Sequence, residues 1–211
     1  MRILFWISFT VLAFSACGPK KEMNRKLPFL GRFEVVKNES TGAVDTLYHK
    51  IDDFRFVNQD STWITAETFA DKIYVADFFF TTCPDICPKM KTQMLRVYDS
   101  MKLTDEVLFL SHTVDPKHDS VAVLKDFAER LSVESNRWHF VTGAKEDIYK
   151  HGQTSYMASV MEDGSGGLIH SGRFFLIDKE RHVRGAYDGT DPASVDLLIK
   201  DIKKLMKTYE K

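Results

Sequence analysis

The sequence predicts an α/β domain in which helices flank a central mixed β-sheet, with β-hairpin additions before the sheet. A continuous apolar run at 72–81, rich in aromatic and β-branched residues, is typical of a strand buried on both faces. Amphipathic helical patterns alternate with further strand-like runs after it, which indicates βαβ connectivity. The 211 residues, 44% hydrophobic and 28% charged, suit one domain plus a targeting segment.

The N-terminus has the pattern of a targeting segment. Arg2 precedes an apolar stretch over 3–14, and two small residues then lead to Cys17. The stretch is shorter than a membrane-spanning helix but fits the apolar region of a signal peptide. The ending FSAC resembles a bacterial lipobox, although Phe14 stands where leucine is usual. An uncleaved signal anchor is the alternative interpretation.

These features predict three segments along the chain. We expect a lipoprotein signal peptide over residues 1–16, lipidated Cys17 and a polar tether over 17–30, and the folded domain over 31–211. A protein of this kind is a membrane lipoprotein of the bacterial cell envelope that faces the oxidising periplasm. The net charge of −1 gives no reason to expect nucleic-acid binding.

Alternating patterns and turn residues predict each element in order. Before the cysteines we expect a hairpin at 31–50 turning near 38–42, a hairpin at 54–65 turning at 59–61, a short helix at 66–70 and the strand at 72–81. After the cysteine helix we expect a strand at 106–114, a helix ending at Leu131, a strand at 138–143, a short helix at 146–151, a strand pair at 173–178 and 182–187, and a C-terminal helix opened by Asp191 and Pro192. Asp119 or Ser120 is the expected cap of the helix that ends at Leu131.

The segment FFFTTCPDICPKM, residues 78–90, carries the strongest chemical signal. Cys83 and Cys87 lie four residues apart between the apolar strand and an amphipathic helix, a spacing that places both sulfurs on one helical face. A helix N-terminus favours thiolates. Adjacent thiolates bind a soft metal or cycle between dithiol and disulfide. A structural disulfide closing so short a loop would add little stability. Met90 belongs to a helical stripe that we interpret as core rather than as a copper ligand.

Three blocks of sequence, in order, resemble the Sco/SenC family of copper-binding proteins, which has a thioredoxin-like fold. The blocks are VADFFFTTCPDICPKM, TVDPKHDSVAVLKDFAERL and LIHSGRFFLIDKERHVRGAYDG. The resemblance covers about residues 50–208. It implies a thioredoxin-like fold for this chain.

The resemblance also implies that Cys83, Cys87 and His170 bind one copper ion. Thiolates suit Cu(I), and imidazole suits both oxidation states. The assignment of His170, ahead of the other histidines, rests on the HSGRFFLID block. Asp115, in the second block, would lie beside the metal ligands or would only form a turn. Asp119 is expected only to cap.

The function implied is that of a copper metallochaperone. It would assist assembly of the dinuclear copper centre of a respiratory cytochrome c oxidase, with the oxidase copper-site subunit or another cuproprotein as partner. The alternative is a membrane-tethered thiol–disulfide oxidoreductase that acts on the oxidase copper-site cysteines, with Cys83 as nucleophile and Cys87 as resolving thiol. Zinc remains an acceptable ion for such ligands. Peroxidase chemistry is disfavoured because Phe80 and Ala76 replace the threonine and proline of peroxiredoxins.

Overall fold

The computed structural model describes residues 26–162 and 168–210. The predicted signal peptide, Cys17, the first part of the tether and the glycine-rich sequence at 164–167 lie outside these residues. Within the described ranges, none of the helices combines the length and apolar character that crossing a membrane requires.

A seven-stranded mixed sheet forms the centre of the domain. Its strand order is β11-β10-β5-β6-β7-β3-β4, with β5, β6 and β7 parallel and the other neighbours antiparallel. The strands of this sheet are β3 (Arg55–Asn58), β4 (Trp63–Thr65), β5 (Ile73–Phe79), β6 (Val107–Thr113), β7 (Trp138–Thr142), β10 (Arg173–Ile177) and β11 (Val183–Asp188). This confirms the predicted mixed sheet and its central strand, whose seven residues are all buried.

The two predicted hairpins take different positions relative to the central sheet. The first predicted hairpin, β1 (Phe33–Lys37) with β2 (Val44–Tyr48), forms a two-stranded sheet of its own. The second predicted hairpin, β3–β4, instead joins the edge of the central sheet through β7. A further small sheet, β8 (Val160–Glu162) with β9 (Leu168–His170), follows the third helix and delivers His170 to the domain.

Helices cover both faces of the sheet and enclose two cores. The helices are α1 (Ile86–Ser100), α2 (Val121–Leu131), α3 (Lys145–Ser155) and α4 (Pro192–Tyr209), and a 3-10 turn spans Ala66–Phe69. Side chains of α1, α2 and α4 share one core with the sheet, and that core includes the predicted stripe of Met90, Met94 and Val97. The opposite core contains α3 and the 3-10 turn. This arrangement is the expected thioredoxin-like layering.

The helix ends follow the sequence signals with one exception. The Asp191 carboxylate caps α4 with Pro192 at its first position, and Ser120, one of the two expected caps, caps α2. Helix α3 extends to Ser155, beyond the short helix predicted at 146–151, and Gly152 lies within it, where a side chain would collide with Val160 and Phe78.

Candidate metal centre

The cysteine segment turns from the end of β5 into the start of α1. Helix α1 begins at Ile86, with Asp85 as its N-cap residue. Cys87 therefore lies in the first helical turn and is buried, whereas Cys83 precedes the helix and is half-buried. The prediction that helical spacing places both cysteines on one face is wrong for this reason. Both thiols are free, and the turn itself brings them together.

His170 ends strand β9 and reaches the same place from a distant part of the chain. Its Nε2 lies 3.2 Å from Sγ of Cys87. Its Nδ1 lies 3.4 Å from the carbonyl oxygen of Ser171, which can accept the Nδ1 proton and so leave the Nε2 lone pair free. The ring meets the ring of Phe80 edge to face at 5.6 Å between centroids. These contacts hold the imidazole with its ligating nitrogen toward the sulfurs.

Cys83, Cys87 and His170 each offer one ligand atom, and the three atoms lie within 4.8 Å of one another. Two sulfurs and one imidazole nitrogen are a soft donor set that fits copper, and zinc is also compatible with it. The structure therefore brings together the three residues that the sequence resemblance singled out. The partly buried position shields the donors from bulk water.

The two thiols have opposite electrostatic surroundings. Burial would raise the pKa of Cys83, but hydrogen bonds from the backbone at Asp85, Cys87 and Ile86 outweigh burial and lower this pKa. Burial raises the pKa of Cys87 to about 12, and the neighbouring Cys83 adds to the rise. Burial also lowers the pKa of His170, so its ring is neutral and able to ligate at neutral pH.

Asp119 has a role that the sequence did not reveal. Its carboxylate is fully buried and accepts hydrogen bonds from the Thr81 amide at 3.0 Å, from the Thr81 hydroxyl and from the Thr113 hydroxyl. His118 Nδ1 lies 3.0 Å from the same carboxylate. The expectation that Asp119 only caps a helix is wrong: it ties the end of β6 to the loop that carries Cys83. Thr81 lies 38 residues away, so no local pattern shows this link.

Asp115 is placed at a turn. Its amide donates to the Thr113 hydroxyl at 3.0 Å, and its carboxylate accepts weakly from the His118 amide at 3.4 Å. Among residues 26–162 and 168–210, no hydrogen bond joins Asp115 to Cys83, Cys87 or His170. The observed contacts are those of a turn-forming residue.

The alternative histidines are used elsewhere. His112 is buried in the opposite core, where it stacks on Phe78 with 4.8 Å between ring centroids. His182 Nδ1 meets the backbone carbonyl of His49 at 2.8 Å. His118 stays exposed beside Asp119. His170 is thus the histidine that the fold places at the cysteines.

Comparison with known proteins identifies the family of this chain. The family model described as SCO1/SenC matches residues 43–207, and the chain therefore belongs to the SCO1/SenC family. A SCO1 protein homolog of Bacillus subtilis (strain 168) is 31% identical over 162 residues, covering 75% of this chain and 84% of the relative.

Solved structures show the same fold. A SCO1/SenC family lipoprotein from Bacillus anthracis str. Ames has a TM-score of 0.70 at 31% identity, covering 75% of this chain and 95% of that one. BsSco, described as a member of the Sco family of cytochrome c oxidase assembly proteins with a disulfide switch, has a TM-score of 0.67 at 30% identity, covering 74% and 93%. Arabidopsis thaliana ScoI, solved with copper bound, shares the fold at 23% identity and a TM-score of 0.62, covering 72% and 98%.

Proposed function

We propose that this protein binds one copper ion through Cys83, Cys87 and His170 and supplies it for assembly of the dinuclear copper centre of a respiratory cytochrome c oxidase. The single observation that carries the proposal is the convergence of these three donor atoms within 4.8 Å. Copper is here the cargo. Its partner is the oxidase copper-site subunit or another cuproprotein.

The donor set suits a carrier that must both hold and release its ion. Cys83 is half-buried at the protein surface, so a partner's thiol can reach the metal from that side. Cys87 and His170 are buried and hold the inner side. Three protein ligands leave a further coordination position for an incoming ligand, and exchange can then proceed one bond at a time.

The choice of an oxidase as the recipient of copper is supported by the family to which the chain belongs. BsSco belongs to the same family and is described as an oxidase assembly protein. The test is a bacterial strain that lacks its own family member, complemented with this chain or with a Cys83→Ser, Cys87→Ser variant. We expect the wild-type chain alone to restore copper in the oxidase dinuclear centre. Equal restoration by the variant would refute the proposal.

A second candidate function is thiol–disulfide exchange, which the unequal thiols favour. The Cys83 thiolate would attack a partner disulfide and form a mixed disulfide, releasing one partner thiolate. Cys87 would then lose its proton, attack the sulfur of Cys83 and release the second partner thiol. The partner gains two electrons and this chain ends with a Cys83–Cys87 disulfide. Reduction of a disulfide-bonded peptide carrying the oxidase copper-site cysteines tests this reaction.

We further propose that the protein is anchored as a lipoprotein facing the periplasm. The support is the signal-peptide pattern of residues 1–16 followed by Cys17, with 17–30 as tether to the domain over 31–211. A family member from Bacillus anthracis is itself described as a lipoprotein. Metabolic labelling with palmitate should mark the wild-type chain and leave Cys17→Ala unlabelled. Labelling of both would refute the anchor.

A further inference from the structure

A buried ion pair lies in the core directly beyond the cysteine turn. Lys91, on α1, is 4% exposed, and Asp77, on β5, is fully buried. The Lys91 ammonium donates to the Asp77 carboxylate at 2.7 Å and to the Ser111 hydroxyl at 3.1 Å. It also lies 4.1 Å from the centre of the Phe79 ring. Both full charges therefore sit inside the apolar core that contains Cys87.

Ser111 completes the network. Its hydroxyl donates to the second oxygen of the Asp77 carboxylate and accepts from the Trp138 indole at 2.9 Å. The pair is thus fixed in place by strand β6 and by β7 as well as by α1. A network held from four elements has little freedom to relax when one of its charges changes.

Fold stability alone is a weak explanation for this pair. Removing two charges from water costs more than their attraction commonly returns, and apolar replacements of buried pairs are often neutral or stabilising. Residue Lys91 lies one helical turn after Cys87, so both side chains occupy one face of α1. The buried charge is therefore placed next to a ligand of the candidate metal site.

The candidate metal site, one helical turn before Lys91, becomes negative when it is filled. Two thiolates, one neutral imidazole and one Cu(I) sum to a charge of about −1, counted from the ordinary charges of these groups. In a poorly screened interior, a nearby cation stabilises such a complex and a nearby anion destabilises it. Lys91 lies four residues after Cys87 on α1, and a charge at this distance in a poorly screened interior acts on the sulfur.

We propose that the Lys91–Asp77 pair sets the electrostatic field at the metal site, with Lys91 favouring and Asp77 opposing the anionic Cu(I) complex. This inference rests on the proposed function. Lys91 and Asp77 would change the affinity for the ion through their charges, without binding the ion themselves. Binding changes no oxidation state: Cu(I) displaces the thiol protons, which pass to the buffer.

The experiment measures Cu(I) affinity of the full chain, purified in detergent and kept reduced without oxygen, by competition with a chromophoric Cu(I) chelator. The variants are Lys91→Met, Asp77→Asn and the double variant that carries both changes. Lys89→Met is the matched control, because Lys89 is exposed on the same helix and closer to Cys87 in sequence. Urea unfolding of each metal-free variant gives the purely structural effect.

We expect Lys91→Met to weaken Cu(I) binding by about tenfold and Asp77→Asn to strengthen it by about tenfold, because the two changes leave opposite net charges in the core. The double variant and Lys89→Met should remain close to wild type. Both single variants should lose stability, since each leaves one buried charge unpaired. An electrostatic effect therefore predicts that the two single variants change Cu(I) affinity in opposite directions while both lose stability.

Two outcomes would overturn the inference. Affinities that fall together in both single variants would show a structural role only, and unchanged affinities would show no coupling. If Lys91→Met does not fold, Asp77→Asn must still bind Cu(I) more tightly than the double variant. A wild-type chain that binds no better than Cys83→Ser, Cys87→Ser would instead refute the proposed function itself.

Discussion

The sulfur of Cys87 and Nε2 of His170 lie 3.2 Å apart although 83 residues separate them in the chain. The first belongs to the first turn of α1 and the second to the end of β9. The β8–β9 hairpin thus places an imidazole over the cysteine turn, and neither element could form the donor cluster alone. The site depends on tertiary structure as well as on the cysteine motif.

Loss of His170 should weaken copper binding without unfolding the domain. His170→Ala removes the only nitrogen donor from the cluster of Cys83, Cys87 and His170. Since outer partners of metal ligands already change affinity by about 10–100-fold, loss of the ligand should cost about 100-fold or more. Chelator competition measures the affinity. His49→Ala, a half-buried histidine elsewhere, should bind as wild type, and equal losses in both variants would contradict the assignment.

Cys83 should react with iodoacetamide far faster than Cys87 in the reduced, metal-free protein. The thiolate is the reactive form; burial raises the pKa of Cys87 to about 12, whereas backbone hydrogen bonds lower that of Cys83. Because the thiolate fraction sets the rate, the expected rate ratio at pH 7 is about 100 or more, measured by mass spectrometry of the modified peptides. Equal rates would show that the two thiols are not distinguished as the structure indicates.

Asp119 should stabilise the loop that carries Cys83. Asp119→Asn removes the charge that strengthens the hydrogen bonds from Thr81, and it places the side-chain NH₂ group opposite hydrogen-bond donors. The two effects together should lower the free energy of unfolding by about 2 kcal/mol. Urea denaturation measures the loss. Asp126→Asn, an exposed change on α2, should alter stability by only about 0.5 kcal/mol. If Asp119→Asn lowers the free energy of unfolding by as little as this control, Asp119 does not stabilise the loop.

The domain should lose stability in mild acid. Burial lowers the pKa of His139 and of His151 to about 4, from an ordinary value of 6.5. Between these values the unfolded chain binds more protons than the folded one, so stability falls as pH falls from 6.5 toward 4. Each histidine should contribute a loss of about 2 kcal/mol between pH 7 and pH 5.

Urea unfolding at pH 7 and pH 5 measures this loss. The glutamine in His151→Gln cannot take up a proton. The variant should therefore lose about 2 kcal/mol less unfolding free energy than wild type between pH 7 and pH 5. The comparison within one variant separates the proton effect from any packing change that the substitution causes. An unchanged difference between the two pH values would show that His151 does not titrate as its burial indicates.

Periodicity predicted the elements that bury a whole face. Strand β5 was expected from apolar composition and is fully buried, and the stripe through Met90 and Met94 lies in the core as its helical spacing indicated. These patterns succeed because burial repeats along the chain with the period of the element. The resemblance supplied His170, which spacing and composition alone could not identify among seven histidines.

Sequence periodicity does not predict the polar contacts inside the domain. A lysine such as Lys91 on an amphipathic helix is expected to be exposed, and Asp77 interrupts an apolar run. In the structure the two side chains form an ion pair in the core. Asp119 likewise finds its partner Thr81 only through the fold. A buried polar group is stable when its partner is present, and that partner is set by tertiary packing rather than by neighbours in sequence.

A titration of Cu(I) and Cu(II) into the reduced protein, followed by absorption and EPR, tests the central claim most directly. Wild type, His170→Ala and Cys83→Ser, Cys87→Ser are compared, with zinc as competitor. We predict a one-to-one complex with a thiolate-to-Cu(II) absorption band that collapses in both variants and withstands zinc. Copper that merely oxidises the cysteines to a disulfide, or a complex that zinc displaces, would contradict the account.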